Sequence, residues 1–207
     1  MSEPTGTEAE VLVVREKGVL PAGQVSDGTG TLGMVIFLVS LSVLFAANLV
    51  GYFVIRLRAE DWPPPGMPGL PTGLWFSTLI ILISSITIQG AVFAVRLDRL
   101  ILLRVLLVLT TLLGLGFLVC QSLNWRRLFA AQVPPTLNLY AYTFYTLTGL
   151  HAAHVLGGLI QLGVVTVKAF RGRYWSLFHP GVRYAAMYWH FLDVVWLILF
   201  MTLVVFD

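Results

Sequence analysis

The sequence predicts an all-α polytopic membrane protein with five transmembrane helices in a bundle. Of its 207 residues, 57% are hydrophobic and 11% are charged, whereas an ordinary soluble domain carries roughly 25% charged residues. Mean hydropathy is +0.86, and five apolar stretches reach the length of about 20 residues that a helix needs to cross a bilayer. Because hydrocarbon offers the backbone no hydrogen-bond partners, such spanning segments are helices.

The five predicted helices are, in chain order, residues 31–55, 74–95, 100–123, 139–170 and 182–206. Residues 96–99 leave room only for a tight turn, so helices two and three should be antiparallel neighbours. The segment 61–68 contains four prolines, which lack an amide hydrogen and fix φ, and it cannot be helical throughout. We expect it to form an extended cap on one membrane surface. Pro134 and Pro135 likewise prevent a continuous helix in the third loop.

The domain organisation that we predict is a polar, flexible tail over residues 1–30 and one membrane domain over residues 31–207. The tail is acidic and has no apolar core of the kind that a cleavable signal peptide carries. The first membrane helix would therefore act as its own insertion signal. The single cysteine, Cys120, lies in an apolar run, which excludes an intrachain disulfide and a cysteine-rich metal site.

Lysine and arginine are enriched in the loops of membrane proteins that face the cytoplasm. With five helices, nine of the thirteen basic residues fall on the side of the N-terminus: Arg15, Lys17, Arg96, Arg99, Arg104, Lys168, Arg171, Arg173 and Arg183. The other four are Arg56, Arg58, Arg126 and Arg127. We therefore expect a cytoplasmic N-terminus and an external C-terminus. The formal charge of +3 reflects these loops and not a nucleic-acid partner.

Two predicted helices carry histidines inside apolar runs. The fourth contains His151 and His154, and the fifth contains His190 and Asp193. The members of each pair are three residues apart and so share one face of their helix. Glycines in the fourth helix allow another helix to approach closely: Gly149, Gly157 and Gly158. If the two helices pack together, three imidazoles and one carboxylate could converge, either as a metal or haem site or as interhelical hydrogen bonds.

The hydrogen-bonding interpretation is favoured, because membrane-embedded iron enzymes tend to have more histidines. Trp189 and Trp196 lie on the same side as Asp193, where packing is their ordinary role. We expect a polar lock between helices four and five, made of His151, His154, His190, Asp193, Trp189 and Trp196. Loss of Asp193 should then leave a buried histidine without a partner. Other polar residues within the helices should bond between helices or to their own backbone: Asn48, Ser84, Ser85, Thr87, Gln89 and Gln121.

A basic segment at residues 168–175, followed by His179, lies between the last two helices. Topology signalling explains such a cluster, and binding of an anionic lipid head group is the functional alternative. The candidate head-group residues are Lys168, Arg173 and His179.

Two motifs carry a family resemblance. Residues 188–196, YWHFLDVVW, resemble the YWHFVDVVW signature of subunit III of haem-copper oxidases, and residues 148–155, TGLHAAHV, resemble the TGxHxxHV segment of that family. Weaker elements fall in the order of the family: residues 32–34, 37–40, 62–66, 84–85 and 116–121. The resemblance covers nearly everything from Thr31 onward.

The resemblance implies a non-catalytic accessory subunit of a bacterial haem-copper terminal oxidase, fed by cytochrome c or quinol, that reduces oxygen and pumps protons in aerobic respiration. The family has seven helices in its longer form and five in a bacterial short form, which this chain would represent in the cytoplasmic (inner) membrane. Such a subunit carries no haem or copper, because those groups sit in partner subunits. It packs against subunit I, with subunit II and a larger respiratory supercomplex as further partners. It binds phospholipid in a cleft between helices, with Lys168, Arg173 and His179 in the loop that contacts lipid phosphates, and it supports proton uptake.

Two positions depart from the family. The first helix has Ser40-Leu41 where the family usually has Ser-Glu, and Arg183 stands near a place where the family often has Glu. Roles of those acids are not carried over. The departure leaves room for a related alternative, the subunit III-like accessory protein of nitric oxide reductases. A stand-alone membrane haem or metal enzyme built on the histidines and Asp193 is a further alternative. A small transporter is disfavoured, since no inverted repeat is present.

Overall fold

The computed structural model describes residues 27–174 and 179–206. Within these ranges every helix or strand assigned is an α-helix. The five helices are α1 (Asp27–Arg58), α2 (Gly73–Arg96), α3 (Leu100–Ala130), α4 (Leu139–Phe170) and α5 (Pro180–Val205). All five are long and apolar enough to cross a membrane. The predicted all-α class with five spans is confirmed, while residues 1–26 of the predicted tail lie outside the described residues.

The bounds of α4 are those predicted, and the side chain of Asn138 explains where the helix begins. Its Oδ1 accepts a hydrogen bond from the Ala141 amide at 2.8 Å, which satisfies one of the free N–H groups of the first turn. α1 begins at Asp27, so residues 27–30, predicted as the end of the tail, are helical.

α3 runs to Ala130, well past the predicted end at residue 123. Residues 124–130 are too polar for hydropathy to predict them as part of the span, but packing against α4 keeps them helical. The Trp125 indole donates to Thr148 Oγ1 at 3.1 Å, and Leu128 is buried. Tertiary contacts therefore continue a helix that composition alone would end.

The chain divides into two compact units, residues 1–35 and residues 36–207. Of the first unit the structure describes only the opening turns of α1. In the second unit, α2 to α5 form a four-helix ring in which α2 packs on α3, α3 on α4, α4 on α5 and α5 on α2. No Cα atom of residues 36–58 lies within 8 Å of a Cα atom in these four helices. This part of α1 contacts the ring through aromatic side chains, such as Phe45, whose ring centroid lies 5.0 Å from that of His154.

The turn between α2 and α3 is as short as predicted and makes the two helices antiparallel neighbours. Asp98 adopts a left-handed conformation with φ of 52°. The Arg99 amide then donates to the carbonyl of Ala94 at 2.9 Å, which closes the end of α2.

The proline-rich loop forms no helix between residues 59 and 72, as predicted. The Trp62 ring packs edge-on against Tyr52 of α1 and Tyr140 of α4, with centroid distances of 5.6 and 5.2 Å. Met67 and Pro71 line a small cavity together with residues of α3 and α4. The loop therefore covers one end of the bundle.

Candidate functional site

Polar side chains on α2 and α5 face each other where these two antiparallel helices pack together. The Trp196 indole donates to Thr78 Oγ1 at 2.9 Å, and the Trp189 indole donates to Ser84 Oγ at 2.9 Å. His190 bonds to two further residues of α2. We call this set the polar seam; its members are Thr78, Ser84, Ser85, Gln89, Trp189, His190 and Trp196.

The hydroxyl groups of the seam satisfy two needs at once. Ser84 Oγ donates to the carbonyl of Ile81 at 2.6 Å, and Thr78 Oγ1 donates to the carbonyl of Leu74 at 2.8 Å. A hydroxyl has one donor hydrogen and two acceptor lone pairs, so each oxygen remains free to accept from an indole on α5. The buried indole N–H groups thereby avoid the cost of an unpaired donor.

His190 is held at both ring nitrogens. Its Nδ1 lies 2.8 Å from Ser85 Oγ, and its Nε2 lies 3.1 Å from Gln89 Oε1. Because an amide oxygen can only accept, Nε2 carries a proton and donates to Gln89. In the neutral imidazole, Nδ1 then accepts from the Ser85 hydroxyl.

Asp193 lies beside His190 without a close hydrogen bond. Its Oδ2 is 3.7 Å from Nδ1 of His190, a distance within reach of an ion pair but too long for a hydrogen bond. The residue is buried, and neither carboxyl oxygen has a hydrogen-bond partner among the described residues. The expectation that removal of Asp193 strips the imidazole of its partner is therefore wrong, since Ser85 and Gln89 hold both nitrogens.

The pairing of helices also differs from the prediction. The polar partners of Trp189, His190 and Trp196 lie on α2 and not on the fourth helix. The reason is that α2 and α4 both flank α5, and α2 presents the hydroxyl groups. The hydrogen bond that joins α5 to α4 instead runs from the Tyr188 hydroxyl to the backbone carbonyl of His154, at 3.0 Å.

Trp189 penetrates the centre of the four-helix ring. A Cβ atom at Gly114 of α3 would lie 2.6 Å from the Trp189 ring, and one at Gly158 of α4 would lie 3.1 Å from it. The absence of side chains at these two positions makes room for the indole. Of the glycines predicted to allow close approach, Gly158 does so, whereas a Cβ atom at Gly149 would meet nothing within 4 Å.

The two histidines of α4 have separate surroundings. His151 is fully buried, with its ring centroid 5.1 Å from Trp196 and 5.7 Å from Phe117, and neither nitrogen has a hydrogen-bond partner among the described residues. His154 turns back on its own helix, where Nδ1 donates to the carbonyl of Leu150 at 2.8 Å. Each histidine is therefore held by packing or by its own backbone.

The convergence that a metal site would need is not found within residues 27–174 and 179–206. No three histidine, cysteine or acidic side chains in these ranges come close enough together to hold a metal ion. The polar groups of the seam instead bond to one another across helices, an arrangement suited to fixing helices in place.

The candidate lipid residues lie at one end of the bundle. Lys168 and Arg173 are exposed, and the Arg173 amide donates to the carbonyl of Lys168 at 3.1 Å, so the end of α4 brings their backbones together. His179 is half-buried and directly precedes α5. Residues 175–178, between these groups, lie outside the described residues.

The two positions that depart from the family differ in their surroundings. Leu41 is buried, so an apolar side chain fits where the family usually has an acid. Arg183 is half-buried, with its guanidinium 5.4 Å from the centroid of the Tyr184 ring.

Three residues that contribute to contacts between helices were not identified from the sequence: Thr78, Gly114 and Arg104. Thr78 could have been found, because it shares one face of α2 with Ser85 and Gln89 at spacings of seven and four residues. Arg104 donates from Nε to the carbonyl of Ala169 at 3.1 Å, a contact that depends on how α3 meets the end of α4 and has no local signal.

Comparison with known proteins identifies a matching family. The family model described as cytochrome c oxidase subunit III matches residues 17–207. A cytochrome c oxidase subunit 3 from Thermostichus vulcanus is 35% identical over 173 residues, which cover 82% of this chain and 83% of the relative.

Two further relatives match over nearly their whole lengths. A probable cytochrome c oxidase subunit 3 from Mycobacterium bovis is 32% identical over 206 residues, covering 97% of each chain. A probable cytochrome c oxidase subunit 3 from Nocardia farcinica is 30% identical over 209 residues, covering 98% of each. The names of these relatives favour the oxidase alternative over the nitric oxide reductase alternative.

Proposed function

Because the chain belongs to the cytochrome c oxidase subunit III family, we propose that it is a non-catalytic accessory subunit of a bacterial haem-copper terminal oxidase. The observation that carries this proposal is similarity to named oxidase subunits over nearly the whole chain. In this role the chain stabilises subunit I, which holds the haem and copper with subunit II, and it can take part in a larger respiratory supercomplex.

The polar groups of the bundle support a structural role. The seam ties α2 to α5, and Trp189 fills the space between α3 and α4. Interhelical hydrogen bonds in membranes are worth about 0.6–2 kcal/mol each, so together they stiffen the surface that a partner subunit meets. The polar lock predicted from the sequence acts, in this proposal, mainly between α2 and α5.

Phospholipid binding is the second part of the proposed role. Lys168 and Arg173 are exposed at the end of α4, where basic side chains attract anionic head groups, and His179 lies at the start of the next helix. Residues 36–58 of α1 also stand off from the other helices. A groove of about 240 Å³ remains there between α1 and α4, with Asn48 and Tyr142 among its lining residues.

For the membrane orientation we propose a cytoplasmic N-terminus and an external C-terminus in the bacterial inner membrane, with a polar tail before α1. The distribution of basic residues supports this assignment. In this orientation the chain would support proton uptake by the partner subunit on the cytoplasmic side of the membrane. It would not use a carboxylate at residue 41, where a buried leucine stands.

The proposed division of labour is tested by separating the chain from its purified complex and measuring haem and copper in each fraction. We expect both groups to stay with the other polypeptides and the separated chain to have no haem absorbance. Haem or copper that travels with this chain would instead support the stand-alone metal protein.

A further inference from the structure

A patch of polar side chains lies half-exposed in the middle of two membrane spans. It consists of Ser85 and Gln89 on α2 and His190 on α5, and we call it the membrane patch. The His190 side chain is 36% exposed, and Ser85 and Gln89 are also half-buried. His190 is ten residues into α5, or about 15 Å along the helix axis, which is near the centre of a bilayer core about 30 Å thick.

The membrane patch keeps a hydrogen-bond donor free. The oxygen of the Gln89 amide faces His190 Nε2, while its nitrogen has no partner among the described residues and is not buried. Exposed hydroxyls elsewhere in the spans behave differently, because Ser40, Ser42 and Ser122 each donate to a carbonyl of their own helix. An amide donor cannot be satisfied by acyl chains, which offer no acceptor.

We propose that the face of α2 and α5 around the membrane patch is where a transmembrane helix of the catalytic subunit docks. That helix presents a hydrogen-bond acceptor, from a side chain or an opened backbone carbonyl, at the depth of Gln89. The inference rests on the proposed function and adds which face of the chain the partner meets. Apolar side chains surround the patch and complete the contact, with Ile86 73% and Val194 55% exposed.

The remainder of the ring offers a matched control face. Leu112 on α3 is 59% exposed. α2 and α3 are joined by the tight turn at residues 97–99, so Ile86 and Leu112 lie at similar depths, about 15 and 18 Å from that turn. Both positions carry large apolar side chains, and neither belongs to the polar seam.

Site-specific photocross-linking tests the proposal in native membranes. The photoreactive amino acid p-benzoylphenylalanine replaces Ile86 in one variant and Leu112 in the other, each in the full chain carrying an affinity tag. After illumination, the tagged chain is captured and its cross-linked products are identified by mass spectrometry. We expect residue 86 to cross-link to the catalytic polypeptide at several times the yield of residue 112.

Equal yields from both positions, cross-links from residue 112 alone, or no cross-links from either would overturn the proposal. So would a cross-link from residue 86 to a second copy of this chain. The same capture without illumination separates this outcome from failure of the proposed function. If the oxidase polypeptides co-purify while residue 86 does not cross-link to them, only the choice of face is wrong.

A second variant tests the free amide itself. Gln89→Leu removes the donor, and we expect the complex to retain its partner roughly 3- to 30-fold less well in a detergent challenge. Ser85→Ala is the control, because it removes the other hydrogen bond of the His190 ring and leaves the Gln89 amide nitrogen in place, and it should leave retention nearly unchanged. Equal retention by the two variants would contradict a hydrogen bond from Gln89 to the partner.

Discussion

Trp189 lies between the other three helices of the ring. Its indole is 1% exposed, donates a hydrogen bond to Ser84 on α2, and fills space opened by Gly114 on α3 and Gly158 on α4. One side chain on α5 thus contacts each of the other helices of the ring. A large rigid ring in this position makes its neighbours intolerant of added volume.

We predict that Gly114→Ala destabilises the protein by about 1–3 kcal/mol, because its Cβ would lie 2.6 Å from Trp189 and 2.8 Å from Leu159. Gly116→Ala is the control in the same helix, since its Cβ would meet only Ile80, at 4.0 Å. That variant should be neutral or more stable by up to about 1 kcal/mol. Thermal denaturation of the detergent-purified protein measures the stability of both variants. Similar unfolding temperatures for the two would contradict the claim that Trp189 fills the space beside Gly114.

Individual residues were predicted from the sequence with uneven success. The sequence singles out His190 and Asp193, because polar groups inside an apolar span are expensive unless they serve a purpose, whereas it assigns Trp189 only ordinary packing. The role of Gly114 does not follow, because a glycine in an apolar run is common and its neighbour lies on another helix. A pattern in the sequence identifies an unusual side chain, but not the empty space into which it fits.

At the scale of helices, the polar seam decides how α2 and α5 pack. Two indoles and one imidazole on α5 each find a partner on α2. The hydroxyls of Thr78 and Ser84 also donate to carbonyls of their own helix, which holds each oxygen in place to accept from an indole. This arrangement fixes the register of the antiparallel pair.

Ser84→Ala should destabilise the protein by about 1–3 kcal/mol, because it leaves the buried indole N–H of Trp189 unpaired. In a Trp189→Phe background the donor is already gone, so the same substitution should cost clearly less. Ser40→Ala is the control, because that exposed hydroxyl bonds only to the carbonyl of Ile36. Chemical denaturation of the wild type, Ser84→Ala, Trp189→Phe and the double variant gives the coupling free energy between the two residues. If Ser84→Ala lowers the free energy of unfolding equally in both backgrounds, the hydrogen bond to Trp189 is not the source of the loss.

The elements themselves were largely predictable, whereas their neighbours were not. Hydropathy predicts all five spans, and the Asn138 cap explains the correct start of α4. The end of α3 was missed because Trp125 continues the helix through a contact with Thr148 of α4. The sequence also assigns a polar face to α5, but α2 and α4 both flank that helix, so only the structure distinguishes its partners.

The two ends of the bundle differ in their loops and in the number of basic residues, which among the described residues is seven at one end and four at the other. One end carries the proline-rich loop 59–72 and the α3–α4 loop. The other end carries the α2–α3 turn and the exposed basic residues Lys168 and Arg173. The proposed orientation puts the more basic end in the cytoplasm, in keeping with the preference of lysine and arginine for that side.

Cysteine labelling tests this orientation. In a Cys120→Ser background, single cysteines replace Leu97 in the α2–α3 turn and Leu137 in the α3–α4 loop, which are 65% and 48% exposed. A membrane-impermeant maleimide, added to cells whose cell envelope is permeabilised outside an intact cytoplasmic membrane, should label position 137. Position 97 should be labelled only after the membrane is opened, and the reverse pattern would show that the orientation is inverted.

Capture of the tagged chain from native membranes in mild detergent tests whether it is an accessory subunit of a haem-copper oxidase. We expect a haem-copper catalytic subunit to be recovered with the chain in near-equimolar amount, and the captured complex to consume oxygen. Recovery of the chain alone and without haem absorbance, or of a complex that reduces nitric oxide instead of oxygen, would contradict it.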